Sequence, residues 1–401
     1  MGAEPYRELT FDAQGDVHRA QRDALAALKV TDLVIFAHGW NNSPSVARGF
    51  YTRFFEPFPR FVASGATVGY VGVVWPSMMF TDEPIPDFDT LAGVFPGQDR
   101  VLTRLSALLA DEPEERAAFE EFGALVRELV RTDPAEGCAG DLSDPDGEDA
   151  PAFLEEDPVE VCRVFTEALD GVEPSLALGT GLRRLWKGGR EVLRQATYYT
   201  MKRRAGTVGE RGLGPVIGHL ARSSPRTRIH LVGHSMGARL VAFALRGLPD
   251  GIRTVKSVTL LQGAFSHYAF APSLPHARGS GGALRAMETR VDGPVVGCYS
   301  RHDTALGVLY PLASRMARDS STIVGLDERW WAVGHDGIQA VTGARRLTLE
   351  AALREGLPAS GCVSVDTATV VCSGGPPSGA HSDILHPELA RVVLRAGRIG
   401  R

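Results

Sequence analysis

Twelve consecutive residues constrain this chain more than any other stretch: Ile229-His230-Leu231-Val232-Gly233-His234-Ser235-Met236-Gly237-Ala238-Arg239-Leu240. An apolar run of β type, Arg228 to Val232, enters the sequence Gly-x-Ser-x-Gly, and an apolar helix over Ala238 to Leu248 leaves it. A serine at such a bend is held in strained backbone geometry with its hydroxyl lifted off the sheet. Gly233 and Gly237 are then needed because strand and helix pass close together. The start of the helix also offers N–H groups and a positive dipole end to a developing oxyanion. Bare Gly-x-Ser-x-Gly is common by chance and can be a tight turn with an inert serine. Bracketed by a buried strand and an apolar helix, it is far more specific.

The rest of the chain alternates in the same way. Leu33 to Ala37 is a continuous apolar run that suits a buried parallel strand, Thr67 to Trp75 reads as a second buried strand, and Val255 to Leu261, Gly293 to Tyr299 and Cys362 to Val371 read as further strands. A short β-type run spans Tyr6 to Phe11 and an amphipathic helix Val17 to Leu28. A helix with aromatic faces runs to about Phe58, another lies near Leu309 to Ala317, and Pro387 to Ala396 closes the chain. Strands that are apolar throughout, alternating with helices, predict an α/β fold. The sheet is doubly wound and mostly parallel, in a single domain over residues 1–401.

One stretch breaks the pattern. Residues 81–170 hold 25 Asp and Glu against 6 Arg, a local charge of −19 in a chain whose net charge is −5. Helical patterns at 100–110, 114–130 and 159–169 flank a solvated acidic loop at 141–149. This predicts a helical, acidic, cap-like insertion over 81–185. In a parallel sheet it would leave on the side of Ser235. Met78, Met79, Phe80, Phe88 and Phe95 would either line an acyl pocket beneath it or pack its own core. The basic helix that follows, Arg183 to Arg204, points to an anionic partner or, more simply, packs near that acidic stretch.

Composition removes several function classes. A pI near 6.1 gives no sign of nucleic-acid binding. No run of 18 apolar residues predicts a membrane span, and the polar, acidic start lacks the layout of a secretory signal. Five cysteines at no metal-ligand spacing read as reduced thiols in a cytoplasmic protein, although Cys362 and Cys372 could pair if oxidised. No glycine-rich phosphate loop sits on a strand–helix turn, and His381, Asp383 and His386 are too loosely spaced for a metal. No cofactor and no metal are expected.

A serine hydroxyl is a poor nucleophile until a base takes its proton, and the base needs an orienting acid. On strand–turn–helix serines the chain order is Ser, then Asp or Glu, then His. Asp303 follows the strand ending at Tyr299, where catalytic groups collect in open α/β sheets. Its rivals are Asp292, Asp327, Asp336 and Asp366. His381, in Gly379-Ala380-His381-Ser382-Asp383-Ile384, suits the base best, with His335 second. His386 reads as structural beside Pro387. Oxyanion donors are expected from the N–H of Met236 and from that of Trp40, or of Asn41, in the loop His38-Gly39-Trp40-Asn41-Asn42. His38, Asn41 and His234 are expected to touch substrate.

These loops resemble the α/β-hydrolase superfamily, in particular its lipase- and esterase-like serine hydrolases. His38 to Asn42 looks like the oxyanion loop of that group, Gly233 to Gly237 like its nucleophile elbow, and Gly379 to Ile384 like its terminal histidine loop. The resemblance spans 33–77 and 228–396. It implies hydrolysis of an ester, amide or thioester in a small-molecule acyl substrate through an acyl-Ser235 intermediate. An acyltransferase with the same three residues, or an inactive hydrolase fold serving as a binding protein, are the alternatives. The antiparallel opening strands usual in that fold have no obvious place in the first 32 residues, and the interval from Asp303 to His381 is long.

Overall fold

Eight strands form one sheet in a computed structural model that describes residues 3–40, 42–77, 95, 97–131, 156–172, 181–275, 279–306, 331–375 and 379–401. They are β1 (Tyr6–Thr10), β2 (Asp32–Ala37), β3 (Val68–Val74), β4 (Arg228–His234), β5 (Val255–Leu261), β6 (Pro294–Tyr299), β7 (Arg345–Thr348) and β8 (Gly361–Asp366). Their spatial order is β1-β3-β2-β4-β5-β6-β8-β7. Every neighbouring pair is parallel. All residues of β2 and β3 are buried, because helices cover both faces.

Alternate residues of the same strands feed two cores. Leu33, Ile35, Val71, Val73, Leu231 and Leu260 point to one face, where they meet α3 (Asp99–Asp111), α4 (Arg116–Arg131), α6 (Trp186–Thr207), α7 (Gly214–Ser223) and α8 (Met236–Phe243). Val34, Phe36, Tyr70, Val232 and Leu261 point to the other, against α2 (Pro44–Phe55) and α9 (Pro387–Ala396). Phe36 is fully buried, with the Phe54 ring centroid 4.4 Å away. Burial of one such ring stabilises the fold by roughly 2–3 kcal/mol. Ser43 caps α2 by accepting from the Val46 N–H, and Pro44 fills its first turn.

Between β3 and β4 the described residues build α3, α4, α5 (Pro158–Val172), α6 and α7. Phe119 stacks on Trp186 at 4.3 Å, and both belong to the same core as the sheet face. Basic residues at the start of α6 and in the turn just before it meet carboxylates of the preceding segments: Arg183 and Arg190 reach Glu112, while Arg184 and Lys187 reach Asp170. The simpler reading of that basic helix accounts for these pairs. Phe95 is buried in this core. Met78, Met79, Phe80, Phe88, Asp327, the loop 141–149 and the helix near Leu309 to Ala317 lie outside the described residues.

Three features differ from the sequence reading. The opening strand is present, but it is parallel and sits at the sheet edge beside β3. The stretch Cys362 to Val371 is strand only to Asp366 and then turns. Finally, β7 had no apolar run to announce it: its residues Arg-Arg-Leu-Thr lie mostly exposed at the other edge. Cys362 is buried and Cys372 exposed, both as free thiols. Among the described residues no helix is long and apolar enough to cross a membrane.

Candidate active site

Parallel strands end on one edge, so the turns that leave β2, β4 and β6 gather there. The turn after β4 is Ser235, with φ 56° and ψ −121°, a conformation that costs a non-glycine residue about 1–3 kcal/mol. Neighbouring backbone holds it in place. Its N–H donates to Leu261 O at 3.0 Å, and its carbonyl accepts from Ala264 N–H at 3.1 Å. Gly237, the second residue of α8, passes so close to β2 that an added Cβ would lie 2.1 Å from Ala37 O.

Asp303 follows β6 and is fully buried. Its Oδ1 accepts from the Leu306 N–H at 3.1 Å, and its Oδ2 lies 2.7 Å from His381 Nδ1. The other ring nitrogen of His381, Nε2, lies 2.8 Å from Ser235 Oγ. Ser235, His381 and Asp303 are therefore in one hydrogen-bonded row, across 146 and 78 residues of sequence. The long interval between Asp303 and His381 is bridged by backbone, where Ala380 N–H donates to His302 O at 2.9 Å.

The rivals lie elsewhere. His335 Nδ1 is 3.3 Å from the Asp303 carbonyl and has no bond to Ser235. Asp336 pairs with His267 and Arg346, and Asp292 with Lys256. Asp366 accepts from the Ala368 N–H in the turn after β8. His386 bonds Asp383, whose carboxylate also accepts the N–H groups of Cys372 and Ser373, so this pair fastens the turn that carries His381. Among the described residues no group of three or more His, Cys, Asp or Glu side chains could hold a metal ion.

The turn after β2 lies against the serine. A Cβ added to Gly39 would sit 2.7 Å from Ser235 Cβ, which fixes the backbone of His38 to Trp40 beside the hydroxyl. Met236 opens α8, so its N–H is one of the amides that the helix cannot satisfy itself. Trp40 carries the edge of Tyr198 at 5.6 Å and the Arg194 guanidinium at 5.9 Å, both from α6. That contact was invisible in the sequence, because it joins segments about 150 residues apart.

Two histidines expected to touch substrate are buried. His38 is buried, its Nδ1–H donating to Gly39 O at 2.8 Å and its ring stacked on Trp75. Burial pushes its pKa down to about 4, with the Gly39 bond opposing. His234 is buried too, with Nε2 2.8 Å from the His381 carbonyl. Burial first, and then the nearby His381 ring, push it down to about 3. The pleat explains both positions: residues at the ends of β2 and β4 alternate between the cores, and an imidazole turned inward packs as an aromatic ring. Asn41 lies outside the described residues.

Comparison with known families finds a match. Residues 185–314, from the start of α6 to beyond Asp303, match the family described as "Alpha/beta hydrolase of unknown function (DUF900)". The parallel sheet, the elbow and this match agree. The chain is an α/β-hydrolase-fold protein. No curated protein and no solved structure matches it. In this α/β-hydrolase-fold chain the matched third contains Ser235 and Asp303, while His381 comes from the region beyond it.

Proposed function

We propose that the protein is a serine hydrolase, carboxylesterase- or lipase-like, that cleaves an ester, amide or thioester through an acyl-Ser235 intermediate. The observation that carries this reading is the row Ser235 Oγ, His381 and Asp303 Oδ2, with contacts of 2.8 and 2.7 Å. A carboxylate only accepts, so His381 Nδ1 holds a proton and Nε2 presents its lone pair to the serine. Nε2 takes the Oγ proton as Oγ bonds the acyl carbon, and the carbonyl electron pair moves onto its oxygen. The N–H groups of Met236 and Trp40 receive that oxyanion. The tetrahedral intermediate collapses with the Nε2 proton passing to the leaving group. Water, deprotonated by the same nitrogen, then releases the acid and restores the hydroxyl.

Residues 1–401 are read as one domain, with 81–185 as a cap beside the serine. The acyl substrate is a small molecule, and no cofactor enters any step. A fluorophosphonate probe tests the reading, because it phosphonylates only an activated serine. Wild type should be labelled and Ser235→Ala should not. Well-folded wild type that takes up no probe would leave the inactive binding-protein alternative standing.

A further inference from the structure

We infer that His234, the residue before the nucleophile, is a positioning residue that fastens the backbone of His381 to the nucleophile turn. This rests on the serine-hydrolase reading and adds to it a part that the three-residue row lacks.

The geometry is specific. His234 Nε2 lies 2.8 Å from the carbonyl oxygen of His381, and the two rings are tilted with centroids 5.1 Å apart. A carbonyl only accepts, so Nε2 of His234 carries the proton and donates it. Burial keeps this ring neutral and lowers its pKa to about 3. Phe50 packs on the same ring at 5.8 Å. The donor is therefore held in one orientation, with no competing charged form beside the imidazolium that His381 must become.

His381 needs such a tie. Its ring must reach Asp303 on one side and Ser235 on the other, and a rigid five-membered ring does both only if its backbone is placed within a few tenths of an ångström. Two bonds hold that backbone across the fold. Ala380 N–H donates to His302 O at 2.9 Å, one residue before Asp303. His234 Nε2–H donates to His381 O, one residue before Ser235. Each partner of the ring thus has a chain neighbour that grips the histidine's main chain. When the elbow shifts, the base shifts with it, and the Oγ–Nε2 separation is kept.

Full-length protein with His234→Leu, His234→Gln and His234→Asn tests this by two readouts: the first-order rate of fluorophosphonate labelling, and the downfield proton resonance of the His381 Nδ1–H on Asp303. Gln can place an amide N–H where Nε2 was, whereas Asn is too short and Leu has no donor. Leu and Asn should label about tenfold to a hundredfold more slowly than wild type, the size of effect that a misplaced base produces. Their downfield resonance should be broadened or lost, and Gln should recover both. Leu labelling at the wild-type rate, or Gln and Asn labelling at equal rates, would overturn the inference. If Leu does not fold, the Gln and Asn pair decides alone. Wild type that is not labelled at all removes the hydrolase reading, while the resonance in the three variants still reports whether His234 holds His381.

Discussion

Replacement of Asp303 by Asn separates an orienting carboxylate from a merely buried one, and its effect can be worked from the contacts. Asp303 Oδ1 accepts from the Leu306 N–H, and Oδ2 faces His381 Nδ1 at 2.7 Å. In Asp303→Asn the amide oxygen takes the Leu306 position, since only it can accept there. The amide N–H₂ then points at His381 Nδ1. The imidazole must answer with its lone pair on Nδ1 and its proton on Nε2, so it can no longer take the Ser235 proton. The imidazolium also loses its counter-charge. At a charge separation of about 4 Å and an effective dielectric near 20, that is about 4 kcal/mol, or roughly a thousandfold in rate. The assay is the first-order labelling of Ser235 by a fluorophosphonate at pH 8, beside a thermal melt to show that the fold survives. Loss of a thousandfold or more is expected. Asp336→Asn is the control, since Asp336 bonds His267 and Arg346 and should leave labelling near wild type. Asp303→Asn labelled within tenfold of wild type would refute the assigned role.

Three further outcomes are expected. His38 and His234 stay neutral in the fold, at about 4 and about 3 against the ordinary 6.5. Below pH 6.5 the unfolded chain therefore binds protons that the fold refuses, and stability is lost as pH falls. At pH 5 each ring accounts for about 2 kcal/mol. Urea unfolding should give a stability lower at pH 5.0 than at 7.5 by about 4 kcal/mol from these two rings, with buried His230, also held below its ordinary value by burial, adding in the same direction; equal stabilities would mean that these rings are not buried neutral. Gly39→Ala places a methyl 2.7 Å from Ser235 Cβ, so the turn must move. Labelling should fall about a hundredfold while circular dichroism stays unchanged; unaltered labelling would show that this turn does not border the serine. Phe119→Ala removes a fully buried ring stacked on Trp186 and should cost about 3–5 kcal/mol. Calorimetry should show a single transition at lower temperature if the insertion and the sheet fold as the one proposed domain. An early separate transition that leaves Ser235 labelling intact would make the insertion a unit of its own.

The fold was legible wherever burial is two-sided. β2, β3 and β6 are mostly continuous apolar runs because helices cover both sheet faces, and a run of that kind has few other uses. At the edges this rule fails. β7 pairs on one side only, with β8, and its Arg345 and Arg346 are exposed, so its four residues carry no period that marks a strand. Its identity comes from the β8 backbone it pairs with, which local sequence does not encode. Strand direction at the other edge was likewise set by partners: β1 runs parallel to β3 from Tyr6↔Tyr70 to Thr10↔Val74, a choice made by the crossover between them and not by the residues of β1.

In the site, residues fixed by local chain geometry could be read, and residues fixed by tertiary contacts could not. Ser235 is marked by its own neighbours, because a positive φ and a crowded bend demand the glycines around it. Order along the chain and strand-end position narrowed the acid and the base to Asp303 and His381, yet the same reasoning kept His335 alive. Only the third dimension separates them: the Asp303 side chain turns to His381, and its carbonyl to His335. His38 and His234 show the limit most plainly. A histidine beside a catalytic turn reads as substrate-facing, because imidazole chemistry is usually done at a surface. Whether the ring faces out or in depends on the parity of its place in the pleat and on what fills the other core. Here Trp75 and Phe50 supply flat partners, Gly39 and His381 supply carbonyls, and both rings are drawn under the site. These two buried rings therefore come from the same motifs as the hydrogen-bonded row, and only their direction was hidden.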